Sequence, residues 1–167
     1  MKKIFLINFI FITTLGYTQN NKINLRSVDT GLGIYFLQDN SVNYGISEIT
    51  ELAVSVNSNI FYANISCGFA QIKYDPESPF HVYLDTELLY GREVKFSEKF
   101  LVECCAGFAI LGQGKVFDTG KIGIGIPAKV KVFYRISNYI DLGLSSGLIY
   151  NSVNSIYSTN LLIKFRR

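Results

Sequence analysis

One histidine and three cysteines are the scarce reactive side chains of this 167-residue chain. His81 lies between Phe80 and Val82, and nucleophilic or acid–base chemistry on a histidine needs a serine or an acid within hydrogen-bond reach. Ser78 is near in sequence, but its parity and the intervening Pro79 argue against a dyad, so His81 reads as a rim or girdle residue. Cys67, Cys104 and Cys105 are odd in number, so they cannot all pair with one another within the chain. Vicinal residues on a strand point to opposite faces, and Cys67 falls two strands away from the other two. All three are expected as free thiols packed as small apolar side chains. With a single histidine and no CxxC spacing, no catalytic set, metal site or cofactor is expected.

The remaining chemistry is ionic. Asp29, Glu51, Asp85, Glu87, Glu103 and Asp141, with Lys129, Lys131 and Lys164, all fall on the polar side of alternating segments. Asp85 and Glu87 are two apart and therefore share a face. That geometry serves an acid–base pair or a proton or cation path, but a strand produces it without any such purpose. The favoured reading is a structural network of salt bridges, because unpaired charges in a narrow interior are costly.

The elements that carry these residues alternate with period two. From Lys121 to Arg135 the even positions Ile122, Ile124, Ile126, Ala128, Val130, Val132 and Tyr134 are apolar, against Gly, Lys and Arg at most odd positions. The same texture recurs around Leu32–Phe36, Leu52–Val56, Phe61–Phe69, Val82–Tyr90, Phe100–Ile110, Tyr139–Tyr150 and Tyr157–Phe165, which makes eight strands. Short turns are expected at 57–59 and 136–138, with a longer one at 93–99. Longer links are expected at 74–79, 112–120 and above all Leu37 to Ser47, with 151–155 the shortest of them. Pro127 interrupts the best strand and predicts a bulge or a local break in the ladder. No helical period and no second domain are visible.

Composition narrows the setting. The chain is 49% apolar, 14% aromatic and 17% charged, which excludes a disordered tail and a disulfide-rich miniprotein. A formal charge of +3 is too small and too scattered for a nucleic-acid surface. Lys2 and Lys3, an apolar stretch to Gly16 and a polar switch at Thr18-Gln19 read as a signal peptide over residues 1–18, followed by one domain over 19–167. Mean hydropathy is +0.23, yet after residue 20 no apolar run approaches a membrane helix.

Alternation fits either a soluble barrel with its apolar side inside or a membrane barrel with that side outside. The polar face here is mostly Gly, Ser, Ala and Asn with sparse charge, whereas a wetted face carries about 25–35% charged residues. Aromatics gather at strand ends, with Phe61, Tyr90, Phe96, Phe100, Tyr134, Tyr139 and Phe165 toward the short turns. Phe36, Tyr74, Phe80, Phe117, Tyr150 and Tyr157 lie toward the longer loops, in the manner of two interfacial girdles. The expected fold is therefore all-β, an eight-stranded antiparallel up-and-down transmembrane β-barrel.

The strand-glycine-aromatic texture of Gly31-Leu32-Gly33-Ile34-Tyr35, Cys67-Gly68-Phe69 and Ala106-Gly107-Phe108, and the turn Tyr134-Arg135-Ile136-Ser137-Asn138-Tyr139, resemble the small outer membrane β-barrel domain family. The family tends to end on an aromatic residue, whereas here Arg166 and Arg167 follow Phe165. The resemblance implies an exported cell outer membrane protein, in contact with outer membrane lipid and with no nucleic-acid partner. Its implied role is structural or interactive, as an accessory subunit of a larger outer membrane complex. A narrow channel or binder of small amphiphiles is the alternative, and a lipid-modifying enzyme lacks its residues.

Overall fold

The computed structural model describes residues 23–39, 42–57, 59–72, 80–115 and 120–167. The expected leader, and the girdle residues Tyr74 and Phe117, lie outside the described residues. Eight strands follow one another: β1 (Asn24–Leu37), β2 (Val42–Val56), β3 (Asn59–Ile72), β4 (Phe80–Lys95), β5 (Phe100–Lys115), β6 (Lys121–Arg135), β7 (Ile140–Asn151) and β8 (Ile156–Arg166). Each pairs antiparallel with its sequence neighbours, and β8 returns to β1 from Ser27↔Arg166 to Leu37↔Ile156, closing the barrel. Closure leaves no strand edge whose N–H and C=O groups would be orphaned in hydrocarbon. At the tight β2–β3 turn, Asn57 takes a left-handed backbone with φ of 58°, a conformation asparagine tolerates well.

The alternation expected from sequence is inverted relative to a soluble core. Ile122 and Phe108 on the outer wall are 82% and 72% exposed, while Lys131 and Glu103 inside are fully buried. Phe36, Phe80, Tyr150 and Tyr157 ring one end of the wall and Phe61, Phe96, Phe100, Tyr134, Tyr139 and Phe165 the other, all exposed. An apolar exterior between aromatic bands is what lipid requires and water does not tolerate.

Several boundaries differ from the sequence expectation. The link from Leu37 to Ser47 is not the longest loop. β2 starts at Val42, well inside that stretch. Gly45, which reads as a turn residue, faces inward, and a Cβ there would stand 2.0 Å from Cε1 of Tyr35. Gly68 makes the same room for Tyr83, at 2.1 Å. These two positions are glycine so that tyrosine rings can cross the lumen. β4 likewise continues to Lys95 and β5 to Lys115, shortening the connections expected at 93–99 and 112–120. Pro127 produces a break and not a bulge: pairing of β5 with β6 stops at Ala106↔Ala128 and resumes in unchanged register at Ala109↔Gly125. Its other side stays in the ladder opposite Ile149.

Phe108 lies near the middle of β5 on the outer wall. A Phe108→Lys change is expected to lower stability in lipid vesicles by about 2–4 kcal/mol, measured by urea unfolding. Unchanged stability would exclude lipid contact at this face.

Candidate functional site

The inward face of the sheet builds a charged interior in its lower and middle thirds, counting from the end where β1 begins and β8 ends. All nine charged residues singled out in the sequence are buried there: Asp29, Glu51, Asp85, Glu87, Glu103, Lys129, Lys131, Asp141 and Lys164. Lys131 of β6 is paired with Glu51 of β2, across the lumen, and lies 4.0 Å from Glu103. Lys164 of β8 reaches Glu103 at 2.5 Å and Asp29 at 3.5 Å. Lys129 reaches Glu87 at 2.5 Å, and Asn64 Nδ2 donates to the same carboxylate oxygen at 2.6 Å. The ammonium groups also rest on aromatic faces, Lys131 at 4.0 Å from the Tyr62 ring centre and Lys164 at 3.7 Å from that of Phe133. Such contacts stabilise a desolvated cation.

Asp85 and Glu87 do share a face, but their partners differ. Glu87 has a lysine, whereas Asp85 accepts a hydrogen bond from Ser66 Oγ at 2.7 Å and forms no ion pair among the described residues. No serine or carboxylate bonds the His81 ring among the described residues. It points inward, not into a girdle, with Nδ1 at 3.0 Å from the Tyr35 hydroxyl. Tyr35 and Tyr83 pack edge to face at 4.8 Å, and Leu37, Val42, Leu111 and Ile156 join them in an apolar cluster that fills the upper third. Gln113, Asn151 and the backbone of Asn154 are hydrogen-bonded above it. Inward side chains thus occupy the lumen in two layers, ion pairs in the lower and middle thirds and a tyrosine-centred apolar cluster in the upper third.

Three features involving charged residues, two ion pairs and one carboxylate unpartnered among the described residues, were not legible in the pattern. Arg26 pairs with Glu93, and Arg166 with Asp141, near the short-turn end. Glu93 reads as part of a turn because β4 extends further than the alternation suggested. Arg26 has outward parity, but the ladder slips between Leu25 and Ser27, and this bulge turns it inward. The third is the lipid-facing Glu48, outward on β2 between Leu32 of β1 and Cys67 of β3. No hydrogen-bond or ion-pair partner reaches it among the described residues. Glu48 stands between the exposed Tyr44 above and the level of Phe61 below, inside the apolar band. Cys67 and Cys104 also face outward and Cys105 inward, all as free thiols.

No family model and no curated protein matches the chain. Solved structures do. Neisserial surface protein A aligns with a TM-score of 0.64 at 9% identity, over 87% of this chain and 99% of that one. Ail, the attachment invasion locus protein of Yersinia pestis, aligns with a TM-score of 0.58 at 7% identity, over 85% and 97%. A de novo designed transmembrane β-barrel aligns at 0.50 and 14% identity, over 83% and 94%. At these identities the likeness is one of fold: a closed eight-stranded antiparallel barrel of the kind small outer membrane proteins have.

Removing one member of a buried ion pair leaves the other uncompensated. Lys131→Met is expected to cost about 3–5 kcal/mol in urea unfolding. Adding Glu51→Gln is expected to recover most of that loss, a coupling that a double-mutant cycle reads directly. Independent, additive effects would show that the pair does not exist in the folded barrel.

Proposed function

We propose that this protein is a resident of the bacterial outer membrane that works through its outer surface, as an accessory subunit docked in the plane of the membrane against a larger protein. The observation that carries this reading is Glu48. A carboxylate facing hydrocarbon is unfavourable, and one on the lipid side of a barrel is best explained by a neighbour that supplies a cation or hydrogen-bond donor at that depth. Thr30 and Thr50, opposite each other on β1 and β2, extend the polar spot, so β1–β3 is the docking wall.

A second copy of this chain is a poor occupant. Its lipid-facing cation, Arg92, stands three residues from the Lys95 end of β4, whereas Glu48 is eight from the Val56 end of β2. Two copies share one orientation in the membrane, so these groups would sit at different depths. The partner is therefore a different membrane protein with a lysine, arginine or other donor in its lipid-facing wall. A transport role has less support, since ion pairs and the tyrosine layer occupy the bore.

Two measurements test this. In planar bilayers the purified barrel is expected to pass no steady current, and sustained openings would favour the channel reading. Extracted from its own membranes in mild detergent, the wild-type protein is expected to migrate as part of a larger assembly on native electrophoresis, and Glu48→Leu to release it. Migration at monomer size for the wild type, or an assembly indifferent to Glu48→Leu, would overturn the docking role.

A further inference from the structure

The wall away from Glu48, between β4 and β8, is indented. The ladder aligns Arg92, Cys104, Val130, Ser146 and Thr159 in one row, and Tyr90, Ala106, Ala128, Leu148 and Tyr157 in the next. Cys104, Ala106, Ala128 and Ser146 are too small to fill the wall to the height of Phe108 or Ile124, and they leave a furrow of about 630 Å³ open to the outside. The furrow climbs. Arg92 is three residues from the short-turn end of its strand, Cys104 four, Val130 five, Ser146 six and Thr159 seven. It thus rises from the membrane surface at Arg92 into the hydrocarbon, because tilted strands carry each row obliquely.

The foot of the furrow is built differently from its floor. Arg92 is exposed and faces outward, and its neighbour Asn59 opens β3 at the short-turn end of the barrel. The guanidinium is steadied by neutral groups only: Nε donates to the Tyr90 hydroxyl and Nη2 to Asn59 Oδ1, each at 3.3 Å. The Tyr90 hydroxyl in turn donates to Asn59 Oδ1 at 2.8 Å. Arg26 and Arg166 each have a carboxylate, but Arg92 has none among the described residues. An oriented, uncompensated guanidinium at the interface suits a phosphate, which it can bind through two parallel hydrogen bonds. The apolar furrow that starts beside it suits an acyl chain.

We propose that this furrow binds one anionic phospholipid of the leaflet on the short-turn side, which is the periplasmic leaflet in outer membrane barrels. Its phosphate is held by Arg92 with Tyr90, and one acyl chain lies along Cys104, Ala106, Ala128 and Ser146. The site is independent of the docking wall at Glu48. Its ligand is a lipid, distinguished from free phosphate by the need for the furrow as well as the cation.

The test uses the purified full-length protein in mixed micelles of phosphatidylcholine and phosphatidylglycerol, with native mass spectrometry reading the lipid retained. One phosphatidylglycerol per barrel is expected, retained about tenfold better than phosphatidylcholine, because the choline ammonium already offsets the phosphate charge that Arg92 would neutralise. Arg92→Gln should abolish the preference, and Ala128→Phe, which fills the furrow, should lower retention of both lipids. Ile65→Phe on the other wall should leave retention unchanged. Equal retention of the two lipids by the wild-type protein would overturn the proposal without recourse to variants. So would undiminished phosphatidylglycerol binding by Arg92→Gln, or retention that inorganic phosphate displaces.

Discussion

Hydrocarbon offers no partner to a peptide N–H or C=O, and that deficit shapes every other feature of this chain. A sheet in such a solvent must pair all its strands, so β8 returns to β1 and the last free edges disappear. Once eight strands close, the interior admits side chains and little else. The polarity of the faces is then set by the solvent outside. Ile, Leu, Val and Phe turn to lipid, and the residues that lipid would reject collect along the axis.

Charges gathered in so narrow a bore must neutralise one another locally. Lysines from β6 and β8 meet carboxylates from β1, β2, β4 and β5, and aromatic rings cover two of the ammonium groups. The upper third follows another rule. There the lumen holds Tyr35, Tyr83 and aliphatic residues in place of ion pairs, and glycines at 45 and 68 yield the space the rings occupy. The ionic lower layers tie strands together across the barrel, while aromatic and aliphatic contacts pack the upper one. The interruption at Pro127 fits between: the ladder loses pairing on one side only, with no change of register on either side of the gap.

A filled bore transfers functional interest to the outer surface, and that surface is not uniform. One side carries a carboxylate and paired threonines amid apolar residues. The other carries an oblique furrow floored by small side chains with an arginine at its foot. Both depart from the even apolar coat that would satisfy lipid at least cost, and neither contributes to closing the barrel. Folding does not require these departures, and the proposed contacts, with a protein in one case and a lipid in the other, would account for them.

Alternation is a local property of the backbone, so the amino-acid order alone determined that there are eight strands, which side chains share a face, and that nine charged residues line one side. The physics of a lipid solvent then settled which face points inward. Strand ends were less legible, because Asn43-Tyr44-Gly45 has the composition of a turn, and only the proximity of Tyr35 explains the glycine. That misreading hid the middle of β2 and with it Glu48. The ion-pair partners were beyond reach of the sequence: Lys131 and Glu51 are eighty residues apart, and they meet only because the closed barrel sets strand tilt and stagger. Arg26 needed the bulge, Glu93 the extra length of β4, and the furrow the alignment of five separate strands. Pattern decides which face a residue occupies; closure decides what it meets, because distance across a barrel is a property of the whole ring and not of any strand in it.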